Sequence, residues 1–353
     1  MPSVPDVLSP AVDLRSDTVT KPTAAMKRAM AEAELGDDVN EGDPTVRRLE
    51  ERVADLLGKE AACYVPSGTM ANLLAIRSQT QPGDEIIADP DSHFHYYETG
   101  GYAAIAGCTA RFARSTRGIF DASEVHRLCR AHSDHFAVTR LVVVENTHNR
   151  GGGIPWPVEQ ARDVARAAHS LGLRAHMDGA RLWNAAAAMG ATERDYALAF
   201  DTISVCFSKG LGAPVGSALV GDRRTIDKAR HFRKMVGGSM RQSGVIAAGA
   251  LYAIDHHRAR LLEDHAAARR FAEIISESNG VRVDMDRVRT NMVYFDIDQR
   301  LGPASEFYKA MDRRGVRMFD EGPQTIRAVC HLDVTPEQVE QAARLIVDAT
   351  RIA

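Results

Sequence analysis

The sequence predicts an α/β protein with a large, mainly parallel sheet domain followed by a smaller C-terminal α+β domain. Three observations carry that expectation. From residue 61 onward, short β-branched and aliphatic runs alternate with longer stretches of helical periodicity, the pattern of a parallel sheet covered by helices on both faces. The chain has 353 residues, more than one ordinary domain uses. Between about residues 223 and 278 the alternation gives way to charged helical sequence, and then come two strand-like runs framed by helices, with a soft boundary near Gly244. The expected division is an N-terminal arm over 1–20, a large domain over 21–244 and a small domain over 245–353.

Each element has a local reason. Pro22 suits the first turn of a helix running to about residue 34. Asp43-Pro44 supplies a cap and a first-turn proline; Val46, Leu49, Val53 and Leu56 then recur at helical steps until Gly58 ends the pattern. Strands are expected over 61–65, 85–88, 141–145, 173–177, 202–207 and 217–220, with helices from Thr69, over 158–171 and from Ala180. The C-terminal third reads as helices over 247–256 and 258–278, strands over 291–297 and 326–331, and helices over 303–314 and 336–350.

Composition narrows the function classes. With 44 Lys+Arg against 47 Asp+Glu the net charge is −3, which gives no electrostatic case for nucleic acid or an anionic membrane and points to a small-molecule partner. The five cysteines are scattered, odd in number and without a CxxC pair, as expected of small buried hydrophobes in a reducing compartment. The first residues lack a basic segment followed by an apolar one, and no run reaches about 18 apolar residues, so a cytoplasmic protein is expected.

The chemistry-bearing residues cluster at predicted strand ends, where ligands bind in such sheets. The run 202–207 stops at Ser208-Lys209, before a glycine-rich segment. A lysine there either snorkels to solvent or serves as a nucleophilic amine, such as one forming a Schiff base with pyridoxal phosphate. Ser67-Gly68-Thr69, between a strand and a helix, is either an ordinary cap or a phosphate seat built from free N–H groups. Asp178 ends another strand, 31 residues before Lys209; it caps the next helix or pairs with a pyridine nitrogen, making the ring an electron sink. The order Ser-Gly-Thr, Asp, Lys along one sheet edge favours the second reading of each. Gly210-x-Gly212-x-x-x-Gly216 precedes a strand and lacks dinucleotide-loop spacing.

Among the histidines, His93-x-His95 has no cysteine or acidic partner motif, so no metal is expected, and a ring stacked on a pyridine face is the better use. His148 follows the 141–145 strand and can accept a proton near neutral pH. Arg15, Arg181, Arg241 and Arg327 are candidates to grip carboxylate or phosphate.

Over residues 13–333 the sequence resembles the low-specificity L-threonine aldolases, pyridoxal-phosphate enzymes with the aspartate aminotransferase-like fold. The resemblance is carried by DLRSDTVTKPT, VPSGTMANLLAI, SHFHYYETGG, ENTHNRGGG, HMDGARLWNA, SVCFSKGLGAPVGS, KMVGGSMRQSG, TNMVYFDI and IRAVCHLDV. It implies that Lys209 carries pyridoxal 5'-phosphate, that Asp178 meets its ring nitrogen, and that His93 stacks on the ring near the substrate hydroxyl. It implies Ser67, Gly68 and Thr69 as phosphate ligands, with Arg241 reaching a neighbouring subunit's phosphate. Ser16, Arg181 and Arg327 resemble the group that holds the α-carboxylate, and His148 resembles the second histidine near the β-hydroxyl. The implied reaction is retro-aldol cleavage of a β-hydroxy-α-amino acid to glycine and an aldehyde, in a homotetramer with shared active sites. β-Elimination, racemisation and transamination are the alternatives on the same cofactor. One departure stands out: Asn40 occupies the substrate-facing position where the family carries tyrosine, so the pocket is expected to be larger or more polar.

Overall fold

The computed structural model describes residues 7–351, so residues 1–6 of the expected arm lie outside the described residues. The strands are β1 (Val12–Asp13), β2 (Ala61–Val65), β3 (Glu85–Ala88), β4 (Thr109–Phe112), β5 (Thr139–Glu145), β6 (Arg174–Gly179), β7 (Thr202–Cys206), β8 (Ser217–Gly221), β9 (Val281–Val283), β10 (Met292–Ile297), β11 (Val316–Arg317), β12 (Phe319–Asp320) and β13 (Thr325–Val329).

Seven of them form the large sheet in the order β2-β8-β7-β6-β5-β3-β4. β8 runs antiparallel to both neighbours and the other pairings are parallel. Two antiparallel steps restore the direction of β2, so β2, β3, β5, β6 and β7 all finish at one edge. β2, β3, β5, β7 and β8 are apolar enough to be covered on both sides. β4 is different: at the sheet margin, its Thr-Ala-Arg-Phe sequence is only partly covered, and no apolar run announces it.

The helix Pro44–Leu57 forms as its sequence dictates. Asp43 accepts hydrogen bonds from the N–H groups of Thr45 and Val46, and Gly58 closes the other end at φ +65°. Its buried stripe of Val46, Leu49, Val53 and Leu57 joins the main core.

A second, antiparallel sheet in the order β12-β13-β10-β9 packs its core against the helices Leu261–Ile275, Ala304–Arg313 and Pro336–Thr350. The helix Gly244–His256 contributes Ala247, Ala250, Ala253 and Ile254 to the main core, and beyond Ala268 most buried apolar side chains belong to the second, with Met292, Tyr294 and Val329 clustered apart. The N-terminal segment joins that second core through Leu8, Val12 and Leu14, with β1 pairing in parallel with β11. Residues 12–14 therefore bind the chain's start to the small domain, and this positions Ser16 and Asp17 at the cleft between the two domains.

Candidate active site

Parallel pairing sets Glu145, Asp178 and Ser204 side by side at the ends of β5, β6 and β7. Asp178 is fully enclosed and held by a chain of hydrogen bonds. The Asn72 side-chain amide donates to Asp178 Oδ2 at 2.7 Å and to Glu98 Oε1 at 2.9 Å. Its oxygen accepts from the Ser204 hydroxyl at 2.9 Å and faces His176 Nε2 at 3.3 Å. Burial pushes His176 down to about 4, so the ring is neutral. Its Nδ1 meets both the Thr202 carbonyl at 3.1 Å and Thr202 Oγ1 at 2.9 Å. Asp178 Oδ1 accepts from the Ala180 N–H at 3.0 Å. Burial alone would raise the Asp178 carboxyl; the charges of His93 and Lys209 and the Asn72 hydrogen bond more than reverse this and keep it ionised.

Lys209 lies three residues beyond the last residue of β7, and its carbonyl accepts from Thr20 Oγ1 at 3.0 Å. Across that strand end starts the helix Gly68–Gln79. Ser67 Oγ caps it by accepting from the Met70 N–H at 3.2 Å, which leaves the Gly68 and Thr69 N–H groups without carbonyls in the helix. A Cβ on Gly68 would come within 2.8 Å of Cys206 Sγ, so glycine is what lets this backbone approach β7.

A cleft of about 460 Å³ opens at Lys209, with His93, Tyr97, Arg181, Arg327 and Ser16 also in its wall. Arg181 is forked onto the fully buried Asp17, through Nε at 2.8 Å and Nη2 at 2.6 Å. Arg327 donates to the Arg15 carbonyl at 3.2 Å and pairs with Glu321 at 2.7 Å, while its Nε is buried with no hydrogen-bond partner. Ser16 Oγ accepts from Thr18. A larger cavity of about 610 Å³ adjoins beyond Glu321, lined by Arg150, Arg287 and Tyr294 among others. Its wall has none of Lys209, His93 and Arg181, which all line the smaller cleft, so the chemistry places the site in the smaller cleft.

His93 begins a short helix, His93–Tyr96, with its N–H on Glu145 at 2.7 Å, its Nδ1 2.7 Å from Glu98 Oε1 and its ring 5.3 Å from that of Tyr97. Burial lowers its basicity, but the Glu98 hydrogen bond and the charges of Asp178 and Glu145 outweigh that and raise it. His93, Glu98 and Asp178 bring donor atoms within 4.8 Å of one another, an arrangement with metal-ligating residue types that the sequence motif did not suggest. Here Asn72 donates to both carboxylates and His93 meets Glu98, so the three are tied to one another and to the amide.

The structure does not bring every candidate to the cleft. His148 is buried, with Nδ1 accepting from the Gly151 N–H at 3.0 Å and Nε2 3.1 Å from Asp89. Its ring packs directly on Gly118. Burial lowers its basicity, and the Glu145 and Asp89 carboxylates more than restore it. Arg15 pairs with Asp13. Arg241 and Asn40 sit together on an exposed corner, both hydrogen-bonded to Asp37. Conversely, Asn72, Glu98, Asp17 and Glu321 belong to the site without having been singled out. The first three stand inside the motif blocks quoted above, but only long-range contacts reveal their roles.

The chain is similar to known proteins over most of its length. The sequence profile described as Beta-eliminating lyase matches residues 13–298. The probable low-specificity L-threonine aldolase 2 of Arabidopsis thaliana is 42% identical over 335 residues, covering 93% of this chain and 94% of that protein. The low specificity L-threonine aldolase of Escherichia coli K12 is 40% identical over 334 residues, covering 94% of this chain and 97% of that one. Among solved structures, a threonine aldolase of Leishmania major superposes with a TM-score of 0.82 at 18% identity, covering 95% of this chain and 98% of its own.

Proposed function

This chain belongs to the beta-eliminating lyase family, among the low-specificity L-threonine aldolases, and we propose that it cleaves β-hydroxy-α-amino acids to glycine and an aldehyde with pyridoxal 5'-phosphate. L-Threonine, L-allo-threonine or a relative with another side chain is the substrate class. The observation that carries this is the meeting at one sheet edge of Lys209, the enclosed carboxylate of Asp178 and the imidazole of His93.

The residues present fit the cofactor. Lys209 offers an amine, Asp178 an ionised carboxylate for a ring nitrogen, and the Gly68 and Thr69 N–H groups, beside Ser67, a seat for phosphate. The missing Cβ of Gly68 lets this seat lie close against β7, beside the strand that leads to Lys209. When bound, the group supplies an electron sink for the pair released as Cα–Cβ breaks.

The chain's own side chains do the rest. Arg327, with a buried Nε free of protein partners, and Arg181, held rigid by Asp17, offer donors to the α-carboxylate, with Ser16 beside them. Fixing that carboxylate orients the Cα–Cβ bond. His93 is the base nearest the cleft for the β-hydroxyl proton. His148, hydrogen-bonded at Nδ1 to the Gly151 N–H and with Nε2 beside Asp89, serves by shaping the loop 145–151 around Glu145. Asn40, in place of the family's tyrosine, sits on the exposed corner with Arg241. That placement leaves the corner free to complete a neighbour's site, in the homotetramer with shared active sites that we propose. The five unpaired cysteines support a cytoplasmic location, and among the described residues no helix is long and apolar enough to cross a membrane.

Purified protein incubated with L-threonine, L-allo-threonine and phenylserine is expected to release glycine and the matching aldehyde. Ammonia and a keto acid in their place would turn the assignment to β-elimination.

A further inference from the structure

We propose that Glu98 is the positioning residue for His93: it holds the proton on Nδ1, so that the Nε2 lone pair is the one offered to the substrate. The inference rests on the aldolase reading for its consequence and on geometry alone for its cause. Glu98 is buried, and its Oε1 lies 2.7 Å from His93 Nδ1. The same oxygen accepts from Asn72, whose orientation is fixed by its neighbours: the ionised Asp178 can only accept, so the NH₂ faces Asp178 and Glu98 and the amide oxygen meets the Ser204 hydroxyl. With its NH₂ turned to the carboxylates, the amide cannot supply Nδ1 with a donor, and Glu98 Oε1 is the acceptor beside that nitrogen. An acceptor at Nδ1 selects the tautomer with Nδ1–H, as the carboxylate partners of catalytic and metal-bound histidines do.

The consequence is a proton step with a defined direction. Nε2 takes the β-hydroxyl proton, the O–H electrons form the new C=O bond, and the Cα–Cβ pair remains with Cα. The imidazolium so formed faces Glu98, whose carboxyl burial pushes up and the His93 hydrogen bond draws back down, and returns its proton to Cα to complete glycine. The other charged groups facing His93 are Asp178 from β6 and Glu145 from β5, with Lys209, Arg181 and Arg327 across the cleft. All of these remain when Glu98 is changed, so its contribution can be isolated.

The test compares Glu98→Gln and Glu98→Asp with the parent holoenzyme. Glu98→Gln should lower kcat for β-hydroxy amino acids by about 100-fold, the scale of a general base, with little change in KM. The acidic limb of the kcat profile should move to lower pH, because the imidazole loses a carboxylate that favours its protonation. Glu98→Asp should recover part of the rate. Nitrogen-labelled histidine spectra of the same proteins supply a readout independent of turnover: His93 protonated at Nδ1 in the parent, and titrating at lower pH in Glu98→Gln. A His93 protonated at Nε2 in the parent, or a titration unmoved by Glu98→Gln, overturns the proposal, as does an unchanged kcat. If no β-hydroxy amino acid yields glycine, the aldolase reading fails on its own account, and the spectra still decide the tautomer.

Discussion

Asp17 carries no charge to solvent, yet it is ionised. Burial favours its neutral form, and the charge and two hydrogen bonds of Arg181, helped by Lys209, overcome that and hold the carboxyl far below the usual range. Replacing it with Asn would strand a buried guanidinium, a loss of roughly 3 to 5 kcal/mol. Asp17→Asn should therefore shift urea unfolding to lower concentration and raise the KM for amino acid. Because the folded-state pKa is depressed, the contribution is fully present above the unfolded value near 4 and drains away as pH falls below it. The gap between Asp17→Asn and the parent should be full at pH 7 and narrow in acid. A constant gap across that range would mean the pair is not what Asp17 contributes. Lys209 and Asp178 were legible in the sequence because each interrupts an apolar strand at its end. Asp17 and Glu98 were not, since what enclosed them lies 164 residues away for one and, for the other, in an amide network gathered from three segments.

At the level of elements, the start of the helix Gly68–Gln79 is set by how closely it approaches β7. The missing Cβ of Gly68 leaves room against Cys206 Sγ, and the Gly68 and Thr69 N–H groups at this helix start have no carbonyl in the helix to bond. Gly68→Ala should push the turn away from β7 and weaken pyridoxal-phosphate binding about tenfold or more, read by absorbance titration of the apoprotein. Adding Cys206→Ala removes the atom in the way and should restore most of the affinity, so the two substitutions should be strongly non-additive. Equal affinity in Gly68→Ala and parent would show that the approach is not tight. The elements behaved as their sequences dictate where one face is apolar throughout, as in Pro44–Leu57 or β5. They were missed where pairing alone makes them: β4 is a partly exposed edge, and β1 and β11 are two residues each. No periodicity exists in so few residues, so only the partner strand could have announced them.

For the whole molecule the informative fact is what the cleft lacks. Its wall contains both domains and the N-terminal segment, but neither Arg241 nor Asn40, which lie together on the Asp37 corner with Arg241 largely exposed. If that corner completes a neighbouring copy's site, each site draws Lys209 from one subunit and Arg241 from the other. Lys209→Ala and Arg241→Ala proteins would then each be impaired alone. In a mixed dimer, one site carries both substitutions and the other carries none. Half of randomly reassorted dimers are mixed, so about a quarter of all sites should recover parental activity after co-refolding of the two variants. Recovery near that level, against none for either variant refolded alone, is the expected result. If activity returned no further than the average of the separate variants, Arg241 would serve its own chain or none, and the corner would lose its role in the shared site.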